Sequence, residues 1–374
     1  MKVAIVQPAL PAYRHGLFAR MAEKLGPGFS VYASAQSELG VLVSGQDRPA
    51  WQHDLGPMLR LLPGLEWQRG ALAVPVSQGD VLVVCGAPRT LSNLALILKG
   101  KLKGARTIWW GHYWSATSRP WRAAIRSALM RVPDAIVFYT DQEVAEYRAQ
   151  RRRQRDRKPA YGLNNGIETS EIVKLRLPYA PAARPRDLLF IGRITPKAEF
   201  GLLLEALARP ECAGVRLDVV GEAIGNPDLR QQASAVSDRI TWHDGTIDEA
   251  RIAKVANTCK AFVYPGGVGL SLIHGLAYGL PAIVHDDHSK HMPEIAAFNP
   301  GHNGVTFRRG DPGSLAKAIA MLLTDGGTLE RMSASAIATT DATFNTADMA
   351  ERFVGAITMV SRHSTFPARS ANAE

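Results

Sequence analysis

A glycine-rich segment in the second half of the sequence has residue types that could bind an anion. It reads YPGGVGLSLIHGLAYGLP from Tyr264 to Pro281, and an apolar helical pattern starting at Leu270 and Ser271 follows the glycines Gly266, Gly267 and Gly269. Glycines let backbone N–H groups approach a ligand closely, and the start of a helix carries about half a positive charge. The segment predicts a diphosphate site, and the alternative is a tight turn between two core elements.

In the first half, the candidate reactive residues follow two predicted strands. His112 lies in IWWGHYWSA, directly after an apolar strand, and the loop after the first strand carries Tyr13, Arg14 and His15. Binding and catalytic residues concentrate in loops that a rigid scaffold positions. His112 is therefore a candidate catalytic residue, and the other three are candidate substrate contacts. The alternative is a structural histidine.

Short apolar runs alternate with helical patterns along the sequence, which is typical of parallel sheets covered by helices. In the first half, strands are predicted at Val3–Val6, Phe29–Ala33, Val81–Cys85, Thr107–Trp110 and Ala135–Tyr139, and helices at His15–Leu25, Leu91–Leu98, Arg119–Met130 and Asp141–Arg152. Residues 37–76 show no clear pattern. After a Pro- and Arg-rich segment at Leu175–Asp187 the alternation restarts.

The pattern predicts an α/β protein of two doubly wound, Rossmann-like domains with a cleft between them. The expected boundaries are 1–175 for the first domain and 176–345 for the second. Residues 346–374 are expected to form a helix that packs back on the first domain, followed by a loose tail. A length of 374 residues, with 46% hydrophobic and 21% charged residues, suits two folded cores.

The cysteine count and the apolar runs bear on location. Three widely spaced cysteines, Cys85, Cys212 and Cys259, fit a reducing cytoplasm better than a disulfide framework. The start MKVAIVQPALPAYRH resembles neither a cleavable signal nor a membrane span. We therefore expect a cytoplasmic protein.

The net charge of +10 predicts a polyanionic partner. Basic residues cluster in three segments of the first half, at 99–106, 119–131 and 148–158. Because the run RRRQRDRK has no interleaved aromatic residues, nucleic acid is disfavoured. The helix at Arg119–Met130 either packs in the core with a solvated basic edge or docks on an anionic membrane surface.

Two segments resemble glycosyltransferase family 4. Pro265 to Pro281 is similar in spacing to Pro-Ser-x-x-Glu-Gly-Phe-Gly-Leu and the helix that follows it, with Gly266 and His274 where the family has glutamates. LLFIGRITPKAEFGLLLEAL resembles the family's donor loop, in which Arg193 matches the diphosphate-binding arginine and Lys197 precedes the position of the lysine.

The resemblance extends over most of the second half. It includes YGLNNGI, VVGEAIG, HDDHSKHMPEI and VTFRRGDPGSLAKAI. The implied donor-binding residues are Gly192, Arg193, Lys197, Gly221, His243, Gly266, Gly267, Gly269, Leu270, Ser271, His274 and Glu294. Family members also often carry a histidine near the reacting sugar at the position of His112.

The resemblance implies the GT-B fold and transfer of a sugar from a UDP- or GDP-type donor, with retention and without a metal or other cofactor. Arg193, Lys197 and His112 are the implied catalytic residues, because fixed cations stabilise the charge that develops on a diphosphate leaving group. Tyr13, Arg14 and His15 are the implied acceptor contacts. The expected acceptor is a glycan or lipid-linked saccharide of surface polysaccharide, such as exopolysaccharide or O-antigen, reached at the inner face of the cytoplasmic membrane.

Other functions remain open from the sequence. They are a nucleotide-sugar epimerase of the same fold, a basic nucleic-acid-binding protein, a dehydrogenase and a non-catalytic family member that lacks both glutamates. The segment Gln7 to Tyr13 has no glycine, which argues against the dehydrogenase. The group His285, Asp286, Asp287, His288 and His291 matches no known metal-ligand spacing, so it predicts a hydrogen-bonding loop over the donor and no metal site.

Overall fold

Two parallel sheets, one in each half of the chain, carry the fold, as the alternating strand and helix patterns predicted. The computed structural model describes residues 1–35, 48–113, 120–151, 158–224 and 228–362. The N-terminal unit runs from Met1 to Leu163 and includes the chain from Ala350 onward, and the C-terminal unit runs from Asn164 to Met349. The units thus divide at residues 163 and 349, where the sequence placed boundaries at 175 and 345.

The strands of the N-terminal unit are β1 (Val3–Ala9), β2 (Phe29–Ser34), β3 (Gln52–Asp54), β4 (Met58–Leu62), β5 (Leu65–Gln68), β6 (Val81–Cys85), β7 (Arg106–Trp110), β8 (Ala135–Phe138) and β9 (Ala160–Gly162). Among the described residues, seven of them form a parallel sheet in the order β3-β2-β1-β6-β7-β8-β9, and β4 pairs with β5 as an antiparallel hairpin. The central strands β6 and β8 are almost wholly buried. This explains their unbroken apolar sequences, because helices cover both faces of such a sheet.

Four helices connect these strands: α1 (His15–Leu25), α2 (Leu91–Leu102), α3 (Pro120–Leu129) and α4 (Asp141–Arg151). All four lie close to the predicted bounds. The sequence analysis did not predict β3, β4, β5 or β9, which are short or lie at the sheet edge.

The C-terminal unit has the strands β10 (Arg186–Ile191), β11 (Leu217–Val220), β12 (Ile240–His243), β13 (Cys259–Tyr264), β14 (Ala282–His285) and β15 (Gly304–Phe307). They form a parallel sheet in the order β12-β11-β10-β13-β14-β15. Its helices are α5 (Ser170–Leu175), α6 (Phe200–Leu207), α7 (Leu229–Gln232), α8 (Glu249–Ala256), α9 (Leu270–Ala277), α10 (Pro312–Thr324) and α11 (Gly326–Ala342).

The helix α12 (Thr346–Arg362) lies mainly in the N-terminal unit. Phe353 is fully buried there, and its ring meets Trp110 of β7 edge-on at 4.8 Å. Arg352 also donates a hydrogen bond to Asp141 at the start of α4. The helix α12 therefore contributes to the core of the N-terminal unit.

The three cysteines are free thiols inside the two units. Burial raises the pKa of the Cys85 and Cys212 thiols to about 11 and that of Cys259 to about 12. All three are therefore protonated at neutral pH. Over the described part of the chain, no helix has both the length and the apolar composition needed to cross a membrane.

Candidate functional site

The strand order of the C-terminal sheet reverses between the neighbouring strands β10 and β13. The chain runs outward from β10 to β11 and β12, and then from β13 to β14 and β15 on the other side. In open parallel sheets, the crevice beyond such neighbouring strand ends is the usual ligand site. The two loops that were predicted to bind a diphosphate follow these strands, at residues 192–198 and 265–269.

These two loops are joined backbone to backbone. The N–H of Gly267 donates to the carbonyl oxygen of Lys197 at 3.1 Å. A Cβ on Gly266 would lie 2.1 Å from the same oxygen and 2.6 Å from the carbonyl carbon of Ala198. No side chain fits at position 266 with this backbone. The glycine that replaces a family glutamate is thus required by the close approach of the loops.

The helix α9 begins at this crevice without a side-chain cap. Its N-cap residue is Gly269, whereas α8, α10 and α11 are capped by the carboxylates of Asp248, Asp311 and Asp325. The start of α9 therefore has no capping side chain, and its amide groups and helix dipole suit a phosphate oxygen.

Close backbone approach also explains the glycines that end β10 and β11. Gly192 has φ 136°, a conformation that favours glycine, and a Cβ there would lie 2.8 Å from the hydroxyl oxygen of Ser271. A Cβ on Gly221 would lie 2.0 Å from the carbonyl oxygen of Gly192. The predicted donor residues Gly192, Gly221 and Ser271 therefore line one continuous edge.

Two cations stand at this edge. The side chains of Arg193 and Lys197 are exposed, and neither forms a hydrogen bond or ion pair with any residue that the structure describes. Burial raises the pKa of Tyr264, at the end of β13, while the charge of Arg193 acts to lower it, which places the guanidinium near that strand end. Ala198, which holds the family's lysine position, is fully buried. Lys197 is thus the exposed lysine of this loop, beside Arg193.

A buried carboxylate lies beside the start of α9. Glu294 is 5% exposed and accepts a short hydrogen bond from the side-chain amide of Asn165. Its Oε2 would be 3.6 Å from a Cβ on Gly269. Glu294, one of the predicted donor-binding residues, therefore reaches the same crevice as the glycine loop. Asn165, which lies in the segment YGLNNGI, orients its carboxylate.

His274 is one turn further along α9 and contacts a carboxylate that the sequence analysis missed. Its Nε2 lies 3.0 Å from Oε1 of Glu249, at the first position of α8, and the hydroxyl of Tyr278 donates to the same oxygen. In the sequence, Glu249 shows only the ordinary signal of an acid in the first turn of a helix. Nothing local indicates its partner, 25 residues away.

The side chain of His243 does not join the other predicted donor residues. Its Nε2 lies 2.7 Å from Oδ1 of Asp218, which also accepts from Arg186. Asp218 lies two residues before the end of β11. The three side chains form a polar cluster on the face of the sheet, behind the strand ends where the loops lie.

His291, in the loop after β14, supports the glycine loop. Nδ1 of His291 accepts from the N–H of Val268 at 3.2 Å, and its Nε2 donates to the carbonyl oxygen of His285 at 2.9 Å. Both ring nitrogens of His291 are thus used by the backbone, which leaves no lone pair for a metal. The ring of His285 stacks on His291 at 3.7 Å.

This arrangement predicts a loss of stability in acid. Burial lowers the pKa of both His285 and His291 to about 4, below the value near 6.5 of an unfolded histidine. Between these values the unfolded chain binds more protons, so the free energy of unfolding falls as the pH falls. We expect the C-terminal unit to lose roughly 2 kcal/mol or more between pH 7 and pH 4.5, measured by urea unfolding.

The matched variant is His291→Gln, whose amide oxygen can still accept from Val268. Its unfolding free energy should fall less over the same pH range. His302→Ala, which removes an exposed histidine, should follow the wild type. If the unfolding free energy of His291→Gln fell with pH as steeply as that of the wild type, His291 would not be a cause of the acid sensitivity.

In the N-terminal unit, His112 lies at the carboxyl end of β7. Its ring stacks on Tyr139 at 4.2 Å, and Nδ1 is 3.9 Å from Oε1 of Glu143. Burial, followed by the charges of Arg14 and Arg126, lowers the pKa of His112 to about 4. The imidazole is therefore neutral at pH 7, so one ring nitrogen can accept a proton or a hydrogen bond.

Glu143, which the sequence analysis also missed, fixes this corner. It is 1% exposed and accepts from the backbone N–H groups of Tyr113, Tyr139 and Thr140. Nothing local in the sequence distinguishes it from the other acids of α4.

The structure brings Arg14 to the same corner as His112. Arg14 is 6% exposed, and its guanidinium lies 4.7 Å from the ring centre of Trp110 and 5.5 Å from that of Tyr139. Tyr13 is 43% exposed beside it, whereas His15 faces away toward Trp51, at 5.3 Å. Of the three predicted acceptor contacts, Arg14 and Tyr13 lie near His112.

The basic clusters are less available than their sequence suggested. Arg126 is buried and donates to the carbonyl oxygen of Tyr113. Lys99 donates to two backbone carbonyls, and Lys101 pairs with Asp134. Of the two alternatives for the helix α3, the buried guanidinium of Arg126 favours packing in the core. The run at 152–157 and the side chain of Arg122 lie outside the described residues.

Comparison with known proteins identifies the fold. Residues 185–325 match the family model of group 1 glycosyl transferases. Similar structures include sucrose-phosphate synthase from Thermosynechococcus elongatus (16% identity, TM-score 0.70, 97% of this chain and 100% of that chain) and Anabaena Alr3699/HepE in complex with UDP (17%, 0.66, 96% and 100%). No curated protein matches the sequence.

A third similar structure is the pneumococcal O-GlcNAc transferase GtfA in complex with UDP and GlcNAc, with 15% identity and a TM-score of 0.57. The match covers 78% of this chain, which spans 58% of the length of GtfA. Likeness at these identities shows the fold. The chain has the α/β GT-B fold, and the match to the group 1 glycosyl transferase model lies within its C-terminal unit.

Proposed function

We propose that the protein is a glycosyltransferase that moves a sugar from a UDP- or GDP-type nucleotide donor to a glycan acceptor. The observation that carries the proposal is the pair of exposed cations, Arg193 and Lys197, near the start of α9. This start has no side-chain cap and lies at the strand ends where the strand order of the sheet reverses. It lies within the segment that matches the group 1 glycosyl transferases.

The C-terminal site suits the diphosphate of such a donor. The glycines at 266, 267 and 269 let backbone approach the phosphates, and the two cations stabilise the charge that develops on the leaving group as the glycosidic bond breaks. This supports transfer without a metal or other cofactor. Retention of configuration rests on the family resemblance alone.

The N-terminal unit is the proposed acceptor side. Arg14, Tyr13 and the neutral imidazole of His112 meet at the carboxyl edge of its sheet. We assign His112 to contact the reacting sugar. The basic segment at 148–158 and the net charge of +10 favour a saccharide carried on a lipid diphosphate, as in surface-polysaccharide assembly at the inner face of the cytoplasmic membrane.

The test is a thermal-shift screen with UDP-, GDP-, ADP- and CMP-sugars, followed by product analysis with the sugar that binds. We expect one UDP- or GDP-sugar to raise the melting temperature, since a ligand that binds only the folded state stabilises it. Release of nucleoside diphosphate with the sugar transferred or hydrolysed supports the proposal. A changed sugar still attached to its nucleotide indicates an epimerase, and no shift with any donor overturns the proposal.

A further inference from the structure

Glu249, His274 and Tyr278 form a polar cluster at the junction of α8 and α9. The side chain of Glu249 is 22% exposed and that of His274 is 19% exposed, so the pair is reachable from solvent. Tyr278 is buried behind them. Both side-chain hydrogen bonds to Glu249 go to Oε1, and among the described residues no hydrogen bond to Oε2 is present.

The cluster lies one helical turn from the proposed diphosphate site. His274 follows Leu270 by four residues, which on an α-helix is a rise of about 6 Å on the same face. Ser271, on the intervening turn, faces Gly192. A nucleoside diphosphate carries its ribose next to the α-phosphate, so a donor with its phosphates at the start of α9 brings its ribose to this cluster.

The charge state of Glu249 suits the binding of a vicinal diol such as the two ribose hydroxyls. Burial acts to raise the pKa of Glu249, but the hydrogen bonds from His274 and Tyr278 and the charge of His274 outweigh it, and the net shift is downward. The carboxylate is therefore ionised at neutral pH and accepts only, so Nε2 of His274 carries the proton and donates to it. An ionised carboxylate with an open oxygen is a strong acceptor for hydroxyl groups.

We propose that the carboxylate of Glu249 binds the ribose hydroxyls of the nucleotide donor, and that His274 and Tyr278 are positioning residues that hold it. The inference rests on the proposed function and specifies its nucleoside site. The chain has a histidine at position 274, where the resembling family pattern has a glutamate. In this chain the carboxylate comes instead from Glu249 on the neighbouring helix α8.

The experiment compares the affinities of the full chain for UDP and GDP with those for their 2′-deoxy counterparts, by calorimetry. We expect the wild type to bind one ribonucleotide about tenfold more tightly than its deoxy form, the size of one hydrogen bond to a charged group. Glu249→Gln should lose about that factor for the ribonucleotide only. The control, Glu205→Gln on the exposed face of α6, should match the wild type.

Two further variants keep the inference testable if Glu249→Gln is unstable. Tyr278→Phe removes one hydrogen bond to the carboxylate and should reduce the preference for ribose partially. In the double variant Glu249→Gln, His274→Glu the acid moves to α9, and the preference for ribose should return. Equal losses for ribose and deoxyribose forms, or no wild-type preference, overturn the inference alone. Absence of binding by the wild type overturns the proposed function as well.

Discussion

Replacing Arg193 with alanine is expected to raise the dissociation constant for the nucleotide-sugar donor at least about 100-fold. The guanidinium is exposed at the end of β10 and has no hydrogen-bond or ion-pair partner among the described residues. No interaction with these residues has to be broken before it binds a ligand, so its charge is available. A diphosphate carries two or more negative charges there. The loss should appear as an absent thermal shift with the donor that stabilises the wild type.

Arg216→Ala is the matched control for this prediction. Arg216 is also exposed in the C-terminal unit, and its side chain forms no hydrogen bond or ion pair within the described residues, but it lies at the amino end of β11, opposite the crevice. The net charge changes equally, so an effect confined to Arg193→Ala identifies a direct contact. An undiminished shift in Arg193→Ala would remove Arg193 from the site.

The second large effect is expected from Gly266→Ala. The added Cβ would lie 2.1 Å from the carbonyl oxygen of Lys197 and 2.6 Å from the carbonyl carbon of Ala198, both of them backbone atoms. The loops must separate, which breaks the hydrogen bond from Gly267 and moves Lys197. We expect a loss of about 2 kcal/mol in the free energy of unfolding and strongly weakened donor binding.

Gly201→Ala provides the comparison. Gly201 lies on α6, and a Cβ there meets no atom within 4 Å. Because alanine favours a helix over glycine by about 1 kcal/mol, this variant should be as stable as the wild type or more so. Urea unfolding and donor titration of both variants decide the matter. A Gly266→Ala protein with normal stability and affinity would show that the loops need not touch.

The elements of the fold were largely predictable because both sheets are buried on two faces. Continuous apolar runs such as VLVVC of β6 identify their strands without further context. The edge strand β9 has only three residues and β15 only four, too few to show a period. The helix α11 escaped prediction because its sequence SASAIATTDA has small polar and alanine residues in place of an apolar stripe.

The positions of the two candidate loops were predictable because their patterns are local in sequence. Glycines followed by a helix, and a strand followed by Arg193, are contiguous patterns, and the structure brings both loops to one crevice. Contacts between distant residues were not predictable. Glu249 meets His274 across two helices, and Asp218 draws the side chain of His243 onto the face of the sheet. The burial of Arg126 likewise depends on the packing of α3, which its basic pattern does not reveal.

The return of α12 to the first unit has a consequence for synthesis of the chain. Phe353 completes the N-terminal core and Arg352 pairs with Asp141 at its surface, yet the ribosome makes both residues after the whole of the C-terminal unit. All residues of the C-terminal unit are therefore synthesised before the N-terminal unit is complete. The N-terminal core is therefore incomplete in the nascent chain, because the ring of Trp110 lacks its contact with Phe353 until α12 emerges from the exit tunnel.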